Sequence, residues 1–374
     1  MEQQDLLKII IAICDKVLLP DKSNSDATIP ELTIDEWNEL LVQASKHGML
    51  PTVIHFFENK QIEDKQQRRV FVKWYAVAQK YKMRYQLRLQ SMRELAEMFA
   101  EEGLEVMFFK GASLAQMYPN PEWRVFSDID FYLYGKCAEG NRVMARHGIE
   151  SRPFYHHNTE ATLHGILLEN HYDFMDRLNH RSNLILDDGL KKLVGEEGRS
   201  RRATFFDEEV ENAFVMTPTM NAIFLMRHMA AHFASESIPL KMLYDWILFM
   251  KNYADEVDWE RVCQLYNTTK MTKFVRIIQD LINTYFRVDV PKVPIKICDN
   301  ENVSKVWDSI VFPPTSNPHK KYTISYYVQE TQTYIDNKWK HKIVFPDESY
   351  FLLSLHYAWS VIKKKLGLLK MKEG

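Results

Sequence analysis

Through the first hundred positions, apolar residues return at three- and four-residue steps, the spacing of helices with one buried face. In LTIDEWNELLVQASKHG (32–48), Thr33 followed by Glu36 has the spacing of a capping box and predicts a helix start. Gly48, with Pro51 just beyond, predicts its end. From about Asp64 to Glu102 a longer, more polar helix carries the stripe Tyr85, Leu89, Met92, Leu95 and Phe99, and Gly103 stops it. Then the period changes. LEVMFFK (104–110) is a short continuous apolar run, as in a buried strand; GASLAQMY (111–118) is a short helix opening at glycine; SDIDFYLY (127–134) alternates as a strand does. Residues 138–149 suit another helix, and the segments flanking Asn158-Thr159-Glu160 predict a hairpin turning there. RRATFFDEEVENAFVM (201–216) has room for two more short strands. After Thr217 the helical period resumes and continues with interruptions, FPPTSNPHKK (312–321) reading as a loop.

The pattern predicts an α+β protein: an N-terminal helical region (1–102), a strand-rich core (103–216) and a C-terminal helical region (217–374). At 374 residues and 46% hydrophobic content, the chain can bury a substantial core. A net charge of −2 gives no global pull toward polyanions, and the aromatic residues are scattered rather than interleaved with basic ones, so long nucleic acid is not the favoured partner. The four cysteines, Cys14, Cys137, Cys263 and Cys298, lie far apart without metal-type spacing and suit reduced thiols. The N-terminus has acidic residues where a signal peptide needs basic ones, and no run is long enough to span a membrane, so a cytoplasmic protein is expected. The C-terminal FLLSLHYAWSVIKKKLGLLKMKEG is apolar and then basic. A core helix with a solvated tail is its plainer reading, a membrane- or partner-docking helix the other.

The candidate chemistry lies in the strand-rich centre. Side chains at i and i+2 of a strand share a face, so Asp128 and Asp130 are neighbours while Ile129 and Phe131 point into the core. Two carboxylates that close raise each other's pKa unless a cation stands between them, and a hard divalent ion resolves the conflict. Mg²⁺ held by few carboxylates completes its shell with water and substrate phosphates, which points to a phosphate-bearing substrate. Gly111 and Ser113 open a helix directly after a strand, a place for an anion, with Lys110 beside it and Arg124 in the loop toward the aspartates. A third carboxylate is expected from a later strand. Glu169, sharing a face with His171, is the first choice, and Asp173, of the same parity, the second. In HMAAH, His228 and His232 have zinc-protease spacing, but Met229 stands where the base would be, so a helix under the site is the better reading. Lys241 and Asp245, four apart on one helix, either pair locally or put Lys241 at the substrate.

These residues resemble the polymerase-β-type nucleotidyltransferase superfamily, and within it a bacterial family of uncharacterised nucleotidyltransferases. Lys110-Gly111, Tyr118-Pro119, Arg124 and Asp128-Ile129-Asp130 carry the likeness, with Trp37, Leu40, Leu41, Ala44, His47, Gly48 and Pro51 upstream. FLMRHMAAHF, LKMLYDWILF and DWERV extend it downstream, and KIVFPDESY does so more weakly. Gly111-Ala112-Ser113 and a long spacer depart from the general superfamily signature. The resemblance implies transfer of a nucleoside monophosphate from an NTP to a hydroxyl of a small molecule or protein, with release of pyrophosphate. Asp128, Asp130 and Glu169 would hold one or two Mg²⁺ ions, with Mn²⁺ the alternative. Lys110, Gly111, Ser113, Arg124 and Lys241 would bind the nucleotide, with His171, His228, His232 and Asp245 accessory. A nucleotide-binding regulatory or scaffold protein without catalysis is the competing expectation.

Overall fold

The computed structural model describes residues 2–20, 29–58, 60–154, 157–177, 180–206, 210–286, 288–295, 302–312, 325, 329, 332–333 and 335–350. Most of the predicted 312–321 loop, Cys298 and the C-terminal segment 351–374 lie outside the described residues.

Helices α1 (Gln3–Leu18), α2 (Ile34–Lys46) and α3 (Leu50–Glu58) precede the long α4 (Lys65–Glu101). The expected capping box forms: Thr33 Oγ1 accepts the Glu36 N–H, and Glu36 Oε2 accepts the Thr33 N–H at 2.9 Å. Pro51 opens a helix instead of merely following one. It lies in the first turn of α3, where its missing N–H has no intrahelical partner to lose. Asp64 caps α4 by accepting the Gln66 and Gln67 N–H groups.

The sheet contains β1 (Val106–Phe109), β2 (Asp128–Tyr132), β3 (Arg152–Phe154), β4 (Asn158–Leu163), β5 (Ile166–His171) and β6 (Ala213–Val215), in the order β3-β4-β5-β2-β1-β6. It is mixed: β1 runs antiparallel to β2, while the β2–β5 and β1–β6 pairs are parallel. The short α5 (Gly111–Ala115) follows β1, and α6 (Cys137–Arg146) follows β2. The hairpin does not turn at 158–160. Strand β4 runs through those residues, and the turn falls at His164-Gly165, with φ of 50° and 74° as a two-residue hairpin requires. The polar residues misread as a turn are buried in the strand, where Thr159 Oγ1 donates to Asn141 Oδ1. Only one strand forms in 201–216 among the described residues, with an isolated bridge from Arg202 to Phe214. Residues 181–197, unassigned by pattern, form α7 (Arg181–Glu197).

Alternation along the strands divides the sheet's surroundings into two cores. Phe108, Ile129, Phe131 and Leu168 pack with Leu95 and Phe99 of α4 and Met144 of α6. Met107, Phe109 and Tyr132 face the other way, into a larger core built by α1–α3 together with α8 (Pro218–Ser235), α9 (Leu240–Tyr253), α10 (Trp259–Thr268), α11 (Thr272–Tyr285), α12 (Val303–Val311) and α13 (Lys338–Val344). The two helical regions therefore share one core. Tyr244 of α9 donates to Asp15 of α1 at 2.7 Å, and His47 receives the Leu240 N–H on Nδ1 and the Lys241 N–H on its carbonyl. Among the described residues no helix is long and apolar enough to cross a membrane.

Candidate active site

Register builds the site. Phe109 of β1 pairs with Asp130 of β2, and Asp130 pairs in turn with Glu169 of the parallel β5. Directly paired residues on neighbouring strands project from one face, so two carboxylates meet on the side that looks toward the helical half. Asp173 is not among them: it lies past the end of β5 and is ion-paired with Lys191.

Asp130 is 2% exposed. Its Oδ1 accepts Lys110 Nζ at 2.6 Å and His171 Nε2 at 3.1 Å, and the same imidazole nitrogen lies 3.4 Å from Glu169 Oε2. Burial alone would raise the Asp130 pKa, but Lys110 and His171 outweigh it and hold the carboxyl well below the usual carboxylate range. Burial would lower the pKa values of Lys110 and His171; Asp130 overrides it at Lys110, and Asp130 with Glu169 at His171, so both stay above their ordinary values. Unrelieved repulsion between carboxylates, the premise drawn from sequence, therefore does not govern Asp130. Asp128, half-buried at the start of β2, shares its strand face.

The turn after β1 fixes Lys110. Its φ of 55° is unusual for a residue with a Cβ, and its carbonyl accepts the Leu114 N–H and the Ser113 hydroxyl at 2.8 Å. Gly111 has φ 25°, and a Cβ there would approach the Phe126 ring to 3.0 Å. The Ser113 hydroxyl is thus engaged within the turn, and α5 is only five residues long.

Arg124 departs from expectation. It is 6% exposed and forms a two-pronged pair with Asp245, Nε to Oδ1 and Nη2 to Oδ2, both at 2.8 Å. Nη1 donates to the Gly111 carbonyl, and Tyr118 donates its hydroxyl to Asp245 Oδ1. The guanidinium ties the loop to α9, with each of its three nitrogens donating inside the protein. The local pairing of Lys241 with Asp245 fails for the same reason, since both Asp245 oxygens serve Arg124. Lys241 instead donates to the Val125 carbonyl at 2.9 Å, and its stem passes Gly48 so closely that a Cβ there would lie 3.1 Å from Cδ. Burial, then the charge of Arg124, lower the Lys241 pKa to about 8.

Helix α8 contributes His228 and His232, with ring centroids 4.7 Å apart. Burial and then the charge of Lys110 press His228 well below the ordinary imidazole value, and His232 is lowered too. Two residues of this region escaped the sequence reading. Glu160 of β4 pairs with Glu169, is 6% exposed and binds Arg152 at 3.1 Å. Arg88, buried in the α4 stripe, donates to the Ser127 carbonyl beside Asp128. An arginine in phase with Tyr85 and Met92 was the available signal.

Among the described residues, Asp130, Glu169 and His171 place ligand atoms within 4.8 Å of one another, a group that could hold a metal ion. Asp130 Oδ2 is buried with no hydrogen-bond partner and fits a cation. The family described as uncharacterised nucleotidyltransferases matches residues 34–287, well over half of the sequence, and the chain belongs to it. Among curated proteins nothing matches. A solved structure of a tRNA nucleotidyltransferase, complexed with a primer tRNA and an incoming ATP analogue, is similar at 13% identity. The similarity covers 74% of this chain and 87% of that one; its TM-score of 0.22 is too low to carry argument.

Proposed function

We propose that this chain transfers a nucleoside monophosphate from an NTP to a hydroxyl of a small-molecule or protein acceptor, releasing pyrophosphate, with a site of the polymerase-β type. The observation that carries the reading is the in-register pair Asp130–Glu169, closed by Lys110 at 2.6 Å. Asp130 and Glu169, with the neighbouring Asp128, would hold Mg²⁺ or Mn²⁺ through their carboxylate oxygens, while His171 donates to the first two. Such an ion supplies charge to offset the triphosphate and lowers the pKa of an attacking hydroxyl.

The chain's own residues have separable parts. Asp130 stays ionised across the working pH range and keeps Oδ2 for a cation. Glu169, 15% exposed at its side chain, is oriented by His171 and is the carboxylate placed to accept the acceptor's proton. Lys110 and Lys241 supply positive charge for the leaving pyrophosphate, and at a pKa of about 8 Lys241 is mostly protonated at pH 7. Neutral His228 of α8, close enough to Lys110 to feel its charge, is a second proton acceptor.

The test uses the full chain with α-labelled NTPs, Mg²⁺ or Mn²⁺ and a panel of acceptors, reading label transfer and pyrophosphate. Glu169→Gln and Asp130→Asn should each lower transfer by more than about a hundredfold, beyond the usual cost of disturbing a group behind a metal ligand. Glu169→Gln is the cleaner variant because it leaves the Lys110–Asp130 pair intact. Undiminished transfer in both would overturn the mechanism. Calorimetric NTP binding without pyrophosphate release across the panel would favour the non-catalytic nucleotide binder.

A further inference from the structure

A second cluster lies where residues 338–348 meet the start of α7. His180, His341 and Glu348 present ligand atoms that all lie within 4.8 Å of one another. His180 immediately precedes α7, His341 is on α13, and Glu348 comes in the turn after Phe345. His341 is 6% exposed, and its Nε2 is buried with no hydrogen-bond partner. An orphaned imidazole nitrogen is costly unless something fills its lone pair. The remaining members are already aimed. His180 Nδ1 donates to Glu348 Oε2 at 2.7 Å, the His180 ring stacks on Phe345 at 3.6 Å, and the Ser182 N–H and hydroxyl lie 3.4 and 3.5 Å from Glu348 Oε1.

We propose that His180, His341 and Glu348 form a transition-metal site, best suited to Zn²⁺, that fastens residues 338–348 to the start of α7. Two imidazoles and one carboxylate are a zinc-type donor set, whereas Mg²⁺ and Ca²⁺ prefer oxygen ligands alone. Around Zn²⁺ with bonds of about 2 Å, tetrahedral ligand atoms stand about 3.3 Å apart. The His180–Glu348 hydrogen bond must therefore open slightly, and the Nδ1 proton leaves to solvent as the metal arrives. Three protein ligands leave one position for water. The nearest competing cation is Arg227, whose guanidinium lies over the Phe345 ring at 4.3 Å. Its charge acts on both His341 and Glu348, so an entering ion shares their field with it. His341 and Glu348 lie outside the family-matched residues 34–287 and His180 within them, so the site joins that region to residues beyond it.

Zinc binding by the full chain tests this, measured by elemental analysis after dialysis and by thermal melting with and without added Zn²⁺. The wild-type protein is expected to retain one Zn²⁺ that His341→Gln does not, and to melt several degrees higher with the metal. Glu348→Gln should weaken Zn²⁺ affinity by about a hundredfold, and it supplies the answer if His341→Gln fails to fold. Glu169→Gln, which alters the other cluster, should keep the zinc-dependent melting shift. Equal zinc retention and equal melting shifts in wild type, His341→Gln and Glu348→Gln would show adventitious binding only and overturn the proposal, as would loss of the shift in Glu169→Gln alone.

Discussion

Asp245→Asn tests whether Arg124 is a strut or a substrate ligand. In the wild-type protein the Arg124 guanidinium is 6% exposed, donates to both oxygens of Asp245 at 2.8 Å and reaches one further acceptor, the Gly111 carbonyl at 3.0 Å. The amide leaves the shape almost unchanged but removes the carboxylate charge that this buried cation pairs with. It also turns one oxygen into an NH₂ group facing Nε–H or Nη2–H. Breaking one side of a buried ion pair costs about 3–5 kcal/mol, because the surviving charge keeps its desolvation penalty. Against a net stability of about 5–15 kcal/mol this is a large fraction. With a urea slope of about 3 kcal/mol per molar, the midpoint should fall by about 1–1.7 M. Arg124→Met combined with Asp245→Leu removes both charges and should cost less than the single substitution, since an apolar pair carries no desolvation penalty. Urea titrations of the wild type, Asp245→Asn and the double variant complete the comparison. A midpoint shift below about 0.3 M in Asp245→Asn, or a double variant less stable than Asp245→Asn, would refute the strut.

Two more outcomes are expected from the coupling of the N-terminal helices to α9. His47 accepts the Leu240 N–H and has its pKa lowered by burial, then by Lys46, from 6.5 to about 4. Between those values the unfolded chain binds the proton and the folded chain does not, so stability falls as pH drops from 6.5 to 4, by about 3 kcal/mol in all. His47→Gln should flatten that acid limb in denaturation measured at pH 7, 5.5 and 4; parallel limbs would contradict the assignment. Gly48 has φ +71° and faces the Lys241 stem at 3.1 Å. Gly48→Ala should therefore cost about 1–2 kcal/mol from the left-handed backbone alone. Lys241→Ala should recover only the crowding part on top of that. A Gly48→Ala protein as stable as wild type would remove this account of the residue.

Local chemistry made much of this architecture legible. The capping box at Thr33, the α4 stripe, the apolar run of β1 and the alternation around Asp128 are each settled within a few residues, and each appears in the structure. What distant segments decide was not readable. The partner of Arg124 lies 121 residues away, so the local sequence shows a cation beside a phosphate-like turn and not the Asp245 carboxylate that the fold brings to it. The β2–β5 register, which places Glu169 and not Asp173 beside Asp130, is a pairing choice that strand parity alone leaves open. The polar run Asn158-Thr159-Glu160 read as a turn because its hydrogen-bond partners, such as Asn141, sit on another element.

Charge balance links that register to the proposed chemistry. Asp128, Asp130 and Glu169 face Lys110, the proton held by His171, and the mostly protonated Lys241, so carboxylates and cations nearly cancel before any ligand arrives. A divalent ion entering alone would add two charges to a balanced cluster and would meet Lys110 and the His171 proton as like charges. A triphosphate entering alone would set its anionic groups against three carboxylates. Entering together, the two offset each other, and Lys110 can exchange Asp130 for a phosphate oxygen without leaving either charge bare. On the proposed reading, the close Lys110–Asp130 contact makes metal and nucleotide binding depend on one another, and the left-handed backbone at Lys110 holds the ammonium at the point where that exchange is made.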